Sequence, residues 1–234
     1  MSAAVMVILF LMIVFVTYVG IPQLWKKVQI ANLNHLCHKR RLMSLTFDDG
    51  PSDEITSKLL MLLDMKKVQA TFYVLGIKVE KNPSLLQQIQ QQGHEIASHS
   101  FSHKHAWKQF PHTIIRDIHK GCEALEQAGV RVQSFRPPNG KVTIFSYLYF
   151  WMRGLKVGWW THDSTDTWAE TSTIEDIVTS IKNNGGGVVL MHDLNRVAMP
   201  DRNQFVLDLT KALIEMAEQE GISVVPQRDL YYEG

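Results

Sequence analysis

The chain has 234 residues, 45% of them hydrophobic and 20% charged, which fits one globular domain of ordinary composition. A formal net charge of +1, with no basic arm and no basic–aromatic repeat, excludes a dedicated nucleic-acid binder. The two cysteines, Cys37 and Cys122, form no C-x-x-C pair and read as free thiols.

Residues 1–25 contain no Asp, Glu, Lys or Arg, and residues 3–20 read AAVMVILFLMIVFVTYVG. A charge-free run of about 18–20 apolar residues is long enough to cross a bilayer as a helix. A secretory signal peptide expects a basic start and a small-x-small cleavage site, and neither is present. A buried helix of a soluble protein rarely lacks charge over such a length. The expectation is therefore an uncleaved transmembrane anchor over 1–25, a basic juxtamembrane connector over 26–41 and a catalytic domain over 42–232.

Beyond the connector, strand-like runs alternate with helix-like ones. The strands are LMSLTF, QATFYVLG, HEIASH, QSFRPP, KVGWWTH, GGVVLMH and GISVVPQ. Between most of them lie TSKLLMLLDMKK, PSLLQQIQQQG, HTIIRDIHKGCEALEQAG, VTIFSYLYFWMRG and STIEDIVTSIKNNGG, with QFVLDLTKALIEMAEQEG before the last. Such alternation predicts parallel β-α-β units, as a barrel or a doubly wound sheet. No G-x-G-x-x-G turn follows the first strand, so a dinucleotide site lacks its main support.

The unusual polar residues fall at strand ends: Asp48 and Asp49, His99, Arg136, Asp163 and His192. In a β/α barrel those ends share one face, where active sites form. In HSFSH, His99 and His103 can aim at a common point, and with one carboxylate they make a His2Asp set suited to Zn2+, with other divalent metals tolerated. One of the paired aspartates then serves as ligand, and its neighbour is left to take a proton from the attacking water. His192, in VVLMHD, is a candidate general acid, since a histidine is partly protonated near neutrality. Arg136 is a fixed cation able to orient the basic aspartate and lower its pKa. THDSTDTW offers two further acids and a tryptophan to hold the acid histidine and shape an acyl pocket. His94, His105, His112, His119 and His162 read as surface or capping histidines.

Taken in order, TFDDGP, HSFSH, RPPNG, DSTDTW and LMH resemble the five motifs of the polysaccharide deacetylases of carbohydrate esterase family 4, the NodB-homology domain. The resemblance runs from residue 42 to about 230 and implies a distorted seven-stranded (β/α) barrel. It also implies Asp48 as catalytic base, Asp49, His99 and His103 as ligands of a divalent metal (Zn2+, with Co2+ or Mn2+ as alternatives), and His192 as general acid. Arg136 would position Asp48, and Asp166 would tune His192. The backbone N–H of Asn139 would face the oxyanion, and Leu190 and Trp168 would line the acetyl pocket. Two departures stand out. Asn139 replaces an aromatic residue usual in the third motif, and Thr167 separates Asp166 from Trp168.

The implied activity is that of a metal-dependent hydrolase of a carbon–nitrogen, non-peptide bond, removing acetyl from N-acetylated amino sugars of a polysaccharide or glycoconjugate. Rivals that keep the same site are a deacylase of a lipid-linked amino sugar and an O-acetyl esterase. A rival of another class is a catalytically silent glycan-binding protein. The expected partners are the glycan and a membrane. No protein partner is inferable. The location is a single-pass membrane protein: the basic residues after the span favour a cytoplasmic domain, whereas the resemblance implies an exported one.

Overall fold

A computed structural model of the chain describes residues 2–53, 55–194 and 201–231. The outer limits of the expected anchor and domain, residues 1 and 232, lie outside them. One unbroken helix runs from Ala3 to Arg40, about 57 Å long at 1.5 Å per residue. Its first part, α1 (Ala3–Phe15), continues through a π-helical stretch (Val16–Gly20) into α2 (Ile21–Arg40). All of α1 is exposed, while α2 docks onto the rest of the chain. Cys37 packs with Val188 and Leu230, and Asn34 and Asn184 exchange amide hydrogen bonds of 2.9 and 3.3 Å. Residues 26–40, a connector by composition, are thus helical and held by the domain. Arg41, in the left-handed region at φ 53°, ends the helix and turns the chain into the first strand.

The strands are β1 (Leu42–Asp48), β2 (Thr71–Val74), β3 (Glu95–Ser98), β4 (Ser134–Phe135), β5 (Lys156–Val157), β6 (His162–Asp163), β7 (Gly187–His192) and β8 (Ser223–Val224). All pair in parallel, in the order β5-β4-β3-β2-β1-β7-β6, with β8 beside the start of β1. β5 and β6 stand at opposite edges of that path although they are consecutive in the chain. Gly158 N still donates to Phe135 O of β4, and Thr161 N already donates to Val188 O of β7. Three Cα steps cover about 11 Å at most, so the sheet has to curl until its edges nearly meet. The fold is therefore the distorted barrel expected, its path of seven strands incompletely closed and β8 added beside β1. KVGWWTH, which reads as one strand, supplies the two opposite edges instead.

The surrounding helices are α3 (Thr56–Met65), α4 (Gly76–Lys81), α5 (Pro83–Gln91), α6 (Pro111–Gln127), α7 (Ile144–Arg153), α8 (Ile174–Asn184) and α9 (Arg202–Glu220). α5 and α6 open on proline, whose missing N–H is no loss in a first turn. The main core lies between sheet and helices: Phe47 and Phe72 stack at 5.1 Å under Leu59, Leu63, Leu209 and Leu213, all fully buried. Burying one such side chain contributes roughly 1.5–3 kcal/mol. Both cysteines are buried and free. His94 departs from the surface reading: it is buried and its Nδ1 accepts a hydrogen bond from Ala70 N. Ala70 N directly precedes β2, and its partner comes from the residue before β3, so this histidine is a structural tie between two strand starts.

Candidate active site

Parallel pairing brings the strand C-termini to one end. The register sets Asp48 beside His192 on neighbouring strands, and Ser98, the residue before His99, beside Phe135, the residue before Arg136. Asp48 and Asp49 are each only 3% exposed. The glycine that follows them is required by close approach, since a Cβ on Gly50 would lie 1.7 Å from Asp193 Oδ1. Asp193 N in turn donates to Asp48 O. Its carboxylate accepts from Thr56 Oγ1 at 2.7 Å, and burial raises its pKa well above the usual range. The one sequence signal for Asp193 is its place directly after the candidate general acid, which by itself assigns it no role.

Asp49 Oδ1 lies 3.6 Å from His99 Nε2 and 3.4 Å from His103 Nε2. A tetrahedral ion with bonds of about 2.0–2.2 Å spaces its ligands about 3.3–3.6 Å apart, so these atoms fit a zinc-sized ion. All three potential ligand atoms fall within 4.8 Å of one another. The tautomer also fits. His99 Nδ1 faces Arg136 O at 2.8 Å, and a carbonyl can only accept, so Nδ1 carries the proton and Nε2 keeps a lone pair. Burial lowers the His99 pKa to about 3, which holds the ring neutral.

The loops bearing these groups are strained in a shared way. Asp49, Ser100, His103, Asn139 and Thr165 all take positive φ, at roughly 1–3 kcal/mol each for a non-glycine residue. Such conformations persist only where neighbours hold them. Asp117 of α6 is one such neighbour: it is buried and accepts from Ser102 Oγ at 2.6 Å, while its backbone carbonyl accepts from Phe101 N. His103 N donates to Ser100 Oγ. Nothing in the sequence of α6 marks Asp117 for this task.

Arg136 is fully buried. Its guanidinium donates to Asp48 Oδ1 at 2.7 Å, Thr46 Oγ1 at 2.8 Å, Gly158 O at 3.0 Å and Gln227 Oε1 at 3.0 Å, and lies 4.0 Å over the Tyr73 ring. Removing one partner of so buried a pair costs about 3–5 kcal/mol. Oδ1 of Asp48 is thereby pinned, and Oδ2 turns toward the ligand set, 3.6 Å from His99 Nε2. Arg136 acts on the Asp48 pKa in the expected direction, downward, but it does not set the net shift. Burial outweighs the Arg136 charge and hydrogen bond, and the net shift is upward. Thr46 and Gln227 are further partners that sequence reading missed.

On the other wall, Asp166 holds His192 twice. Its Oδ1 accepts from the ring Nδ1 and its Oδ2 from the backbone N, both at 2.8 Å. Burial alone would lower the His192 pKa, but Asp166, by charge and hydrogen bond, and then Asp48 and Asp49 raise it to about 9. Leu190 is buried on β7. Asn139 stands exposed in the left-handed region, and Trp168 is 58% exposed on the loop that carries Asp166. Asp163 accepts from Thr165 N and shapes that same loop.

Residues 35–145 match the family described as polysaccharide deacetylase. A peptidoglycan-N-acetylglucosamine deacetylase of Bacillus cereus is 32% identical over 185 residues, 78% of this chain and 84% of the relative. The chain belongs to the polysaccharide deacetylase family, carbohydrate esterase family 4. Another relative in the family, the deacetylase PgdA of Listeria monocytogenes, is 33% identical over 66% of this chain, which spans only 33% of that longer protein. Chitin deacetylase 2 of Saccharomyces cerevisiae is 32% identical over 64% of the chain. Among solved structures, the Bc1960 peptidoglycan N-acetylglucosamine deacetylase superposes with a TM-score of 0.74 at 26% identity, covering 82% of this chain and 89% of that one. The family 4 carbohydrate esterase from Streptomyces lividans, in complex with acetate, gives a TM-score of 0.67 at 27% identity, covering 79% and 91%.

Proposed function

We propose that this family member is an N-deacetylase of glycan amino sugars and that Asp49, His99 and His103 hold a divalent metal, Zn2+, for it. The observation that supports this most is the joint geometry: one carboxylate and two imidazole donors at zinc spacing, with a second carboxylate and a raised-pKa histidine beside them. When bound, the metal supplies Lewis-acid polarisation of the acyl carbonyl and makes water easier to deprotonate.

The protein's own residues then divide the proton traffic. Asp48 accepts the proton of the attacking water on Oδ2, because Oδ1 is held by Arg136. His192, kept as imidazolium with Nδ1–H on Asp166, gives its other proton to the departing amine. An ester needs less of that help, so the built acid favours the amide reading over O-acetyl hydrolysis. The Asn139 backbone N–H is proposed to meet the oxyanion, and Leu190 and Trp168 to bound the methyl group.

The apolar stretch of the long helix has a mean hydropathy of 2.8 with none of it buried, which supports a membrane span; a signal sequence passes the same test. An exported domain meets wall polymer, while a cytoplasmic one meets lipid-linked or nascent glycan. Reporter fusions after Gly234 choose between these substrate groups. The activity itself is tested by acetate release from chitin oligomers, peptidoglycan fragments and lipid-linked amino sugars, using the full chain in lipid. Acetate from an N-acetylated glycan, abolished by a chelator and restored by Zn2+, is expected. Release from O-acetyl esters alone would overturn the amidase reading.

A further inference from the structure

α7 is unusual for a helix on a barrel's outer ring. Ile144, Phe145, Leu148, Trp151 and Met152 are 41, 47, 49, 79 and 69% exposed. At 3.6 residues per turn they fall on one arc of about 120°. The opposite face carries Ser146 and Phe150, both buried, the latter against Phe135 at 5.0 Å. A continuous exposed stripe of large apolar residues on a helix this well docked marks an interaction surface rather than scattered surface hydrophobics.

The stripe touches the long N-terminal helix. The Phe145 ring meets the Tyr18 ring edge-on at 6.0 Å between centroids, and Tyr18 lies in the last turn of the apolar run. A residue in contact with Tyr18 sits at the depth of Tyr18, so a membrane that takes up residues 3–20 brings its surface to α7. The neighbourhood has the composition of an interface. Trp107 and Phe110 are 42% and 74% exposed. Lys141 lies 4.4 Å over the Trp107 ring, whose N–H holds Val142 O just before α7. Aromatic residues with flanking cations are what a headgroup layer accepts. Lys26 adds a second tie: its Nζ donates to Gly140 O at 2.9 Å, six residues after Gly20, or about 9 Å along the helix. The loop bearing Asn139 therefore stands close to where the helix leaves the apolar run.

We infer that the exposed face of α7 lies in the headgroup region of the bilayer, a second membrane contact that turns the rim of the cleft toward the lipid surface. This rests on residues 3–20 being a retained span. An interfacial helix of this kind buries its apolar face about 5–10 Å into the boundary between headgroups and acyl chains.

The test uses the full chain in liposomes, with Leu148→Cys, Trp151→Cys and, as control, Met65→Cys, each labelled with an environment-sensitive fluorophore. Cys37 and Cys122 are buried, which directs labelling to the introduced thiols. Met65 is 72% exposed at the C-terminal end of α3, on the end of the barrel where the strands begin. Labels at 148 and 151 are expected to show blue-shifted emission and loss of intensity with headgroup-proximal spin-labelled lipid, and the label at 65 neither. Vesicle flotation and the intact mass of the chain report separately on the span. If the chain floats intact but the 148 and 151 labels behave like that at 65, the α7 contact is refuted while the span stands. If those labels are shielded from aqueous quencher yet insensitive to spin-labelled lipid, a second protein copy covers the face and the lipid reading is refuted. Failure to float refutes both.

Discussion

The two walls of the cleft reach their protonation states by different means. On the β1/β3 wall, Asp48 and His99 are almost completely buried, and burial is the largest influence on each: it raises the carboxylate and lowers the imidazole. On the β6/β7 wall, burial would lower His192 in the same way, yet Asp166, by its charge and its hydrogen bond to Nδ1, and then the charges of Asp48 and Asp49 reverse that effect and lift it to about 9. The same residue type, histidine, is thus neutral on one side and charged on the other. The partner of Nδ1 decides which: a carbonyl for His99 and a carboxylate for His192. On the proposed assignment, one wall binds a cation and accepts a proton, and the other gives one.

Removing a ligand from the first wall is expected to have the largest effect. His99→Ala and His103→Ala should each lose bound metal, seen by elemental analysis, together with all measurable turnover. Normal metal content in both variants would dissolve the contrast between the walls.

Removing the acid should hurt less. His192→Gln should retain the metal and lose about 10²-fold or more on an amide, the usual scale for a general acid, with a smaller loss on an O-acetyl substrate. A variant that lost metal as well would merge the two walls into one site.

The smallest change sharpens the comparison through pH. His192 must be protonated to act, so activity should fall as pH rises through about 9. Its contribution to stability has the same sign: present in full below the unfolded value near 6.5, lost as pH climbs through the folded one. Asp166→Asn removes the charge that raises it, so the alkaline limb of the rate profile should move to lower pH. An unchanged limb would mean that Asp166 does not set the protonation of His192.

How much of this was legible follows from where the information sits. Asp48, Asp49, His99, Arg136 and His192 were readable because each closes or follows a strand-like run, and parallel pairing sends all such ends to one face. The barrel was readable from alternation. What escaped depends on distant partners. Gln227 is a polar residue at the end of the last strand-like run, and only the curled sheet brings its amide to Arg136 and Tyr73. Asp117 lies on a helix whose face toward HSFSH is set by packing. The division of KVGWWTH between two edges follows from closure of the barrel, which no local pattern encodes. Composition marked residues 26–41 as polar and basic, but it could not show that Lys26 reaches the RPPNG loop or that Gln29 accepts from Tyr147 and Trp159.

In the proposed mechanism, adjacent aspartates alike in burial hold different jobs: Asp49 binds metal and Asp48 moves the proton. Calorimetric titration of Zn2+ into the metal-free full chain, Asp48→Asn and Asp49→Asn tests it most directly. Asp48→Asn is expected to keep near-normal zinc affinity with almost no turnover, and Asp49→Asn to bind zinc clearly more weakly. Weakened zinc binding in Asp48→Asn with normal binding in Asp49→Asn would contradict it and exchange the two roles.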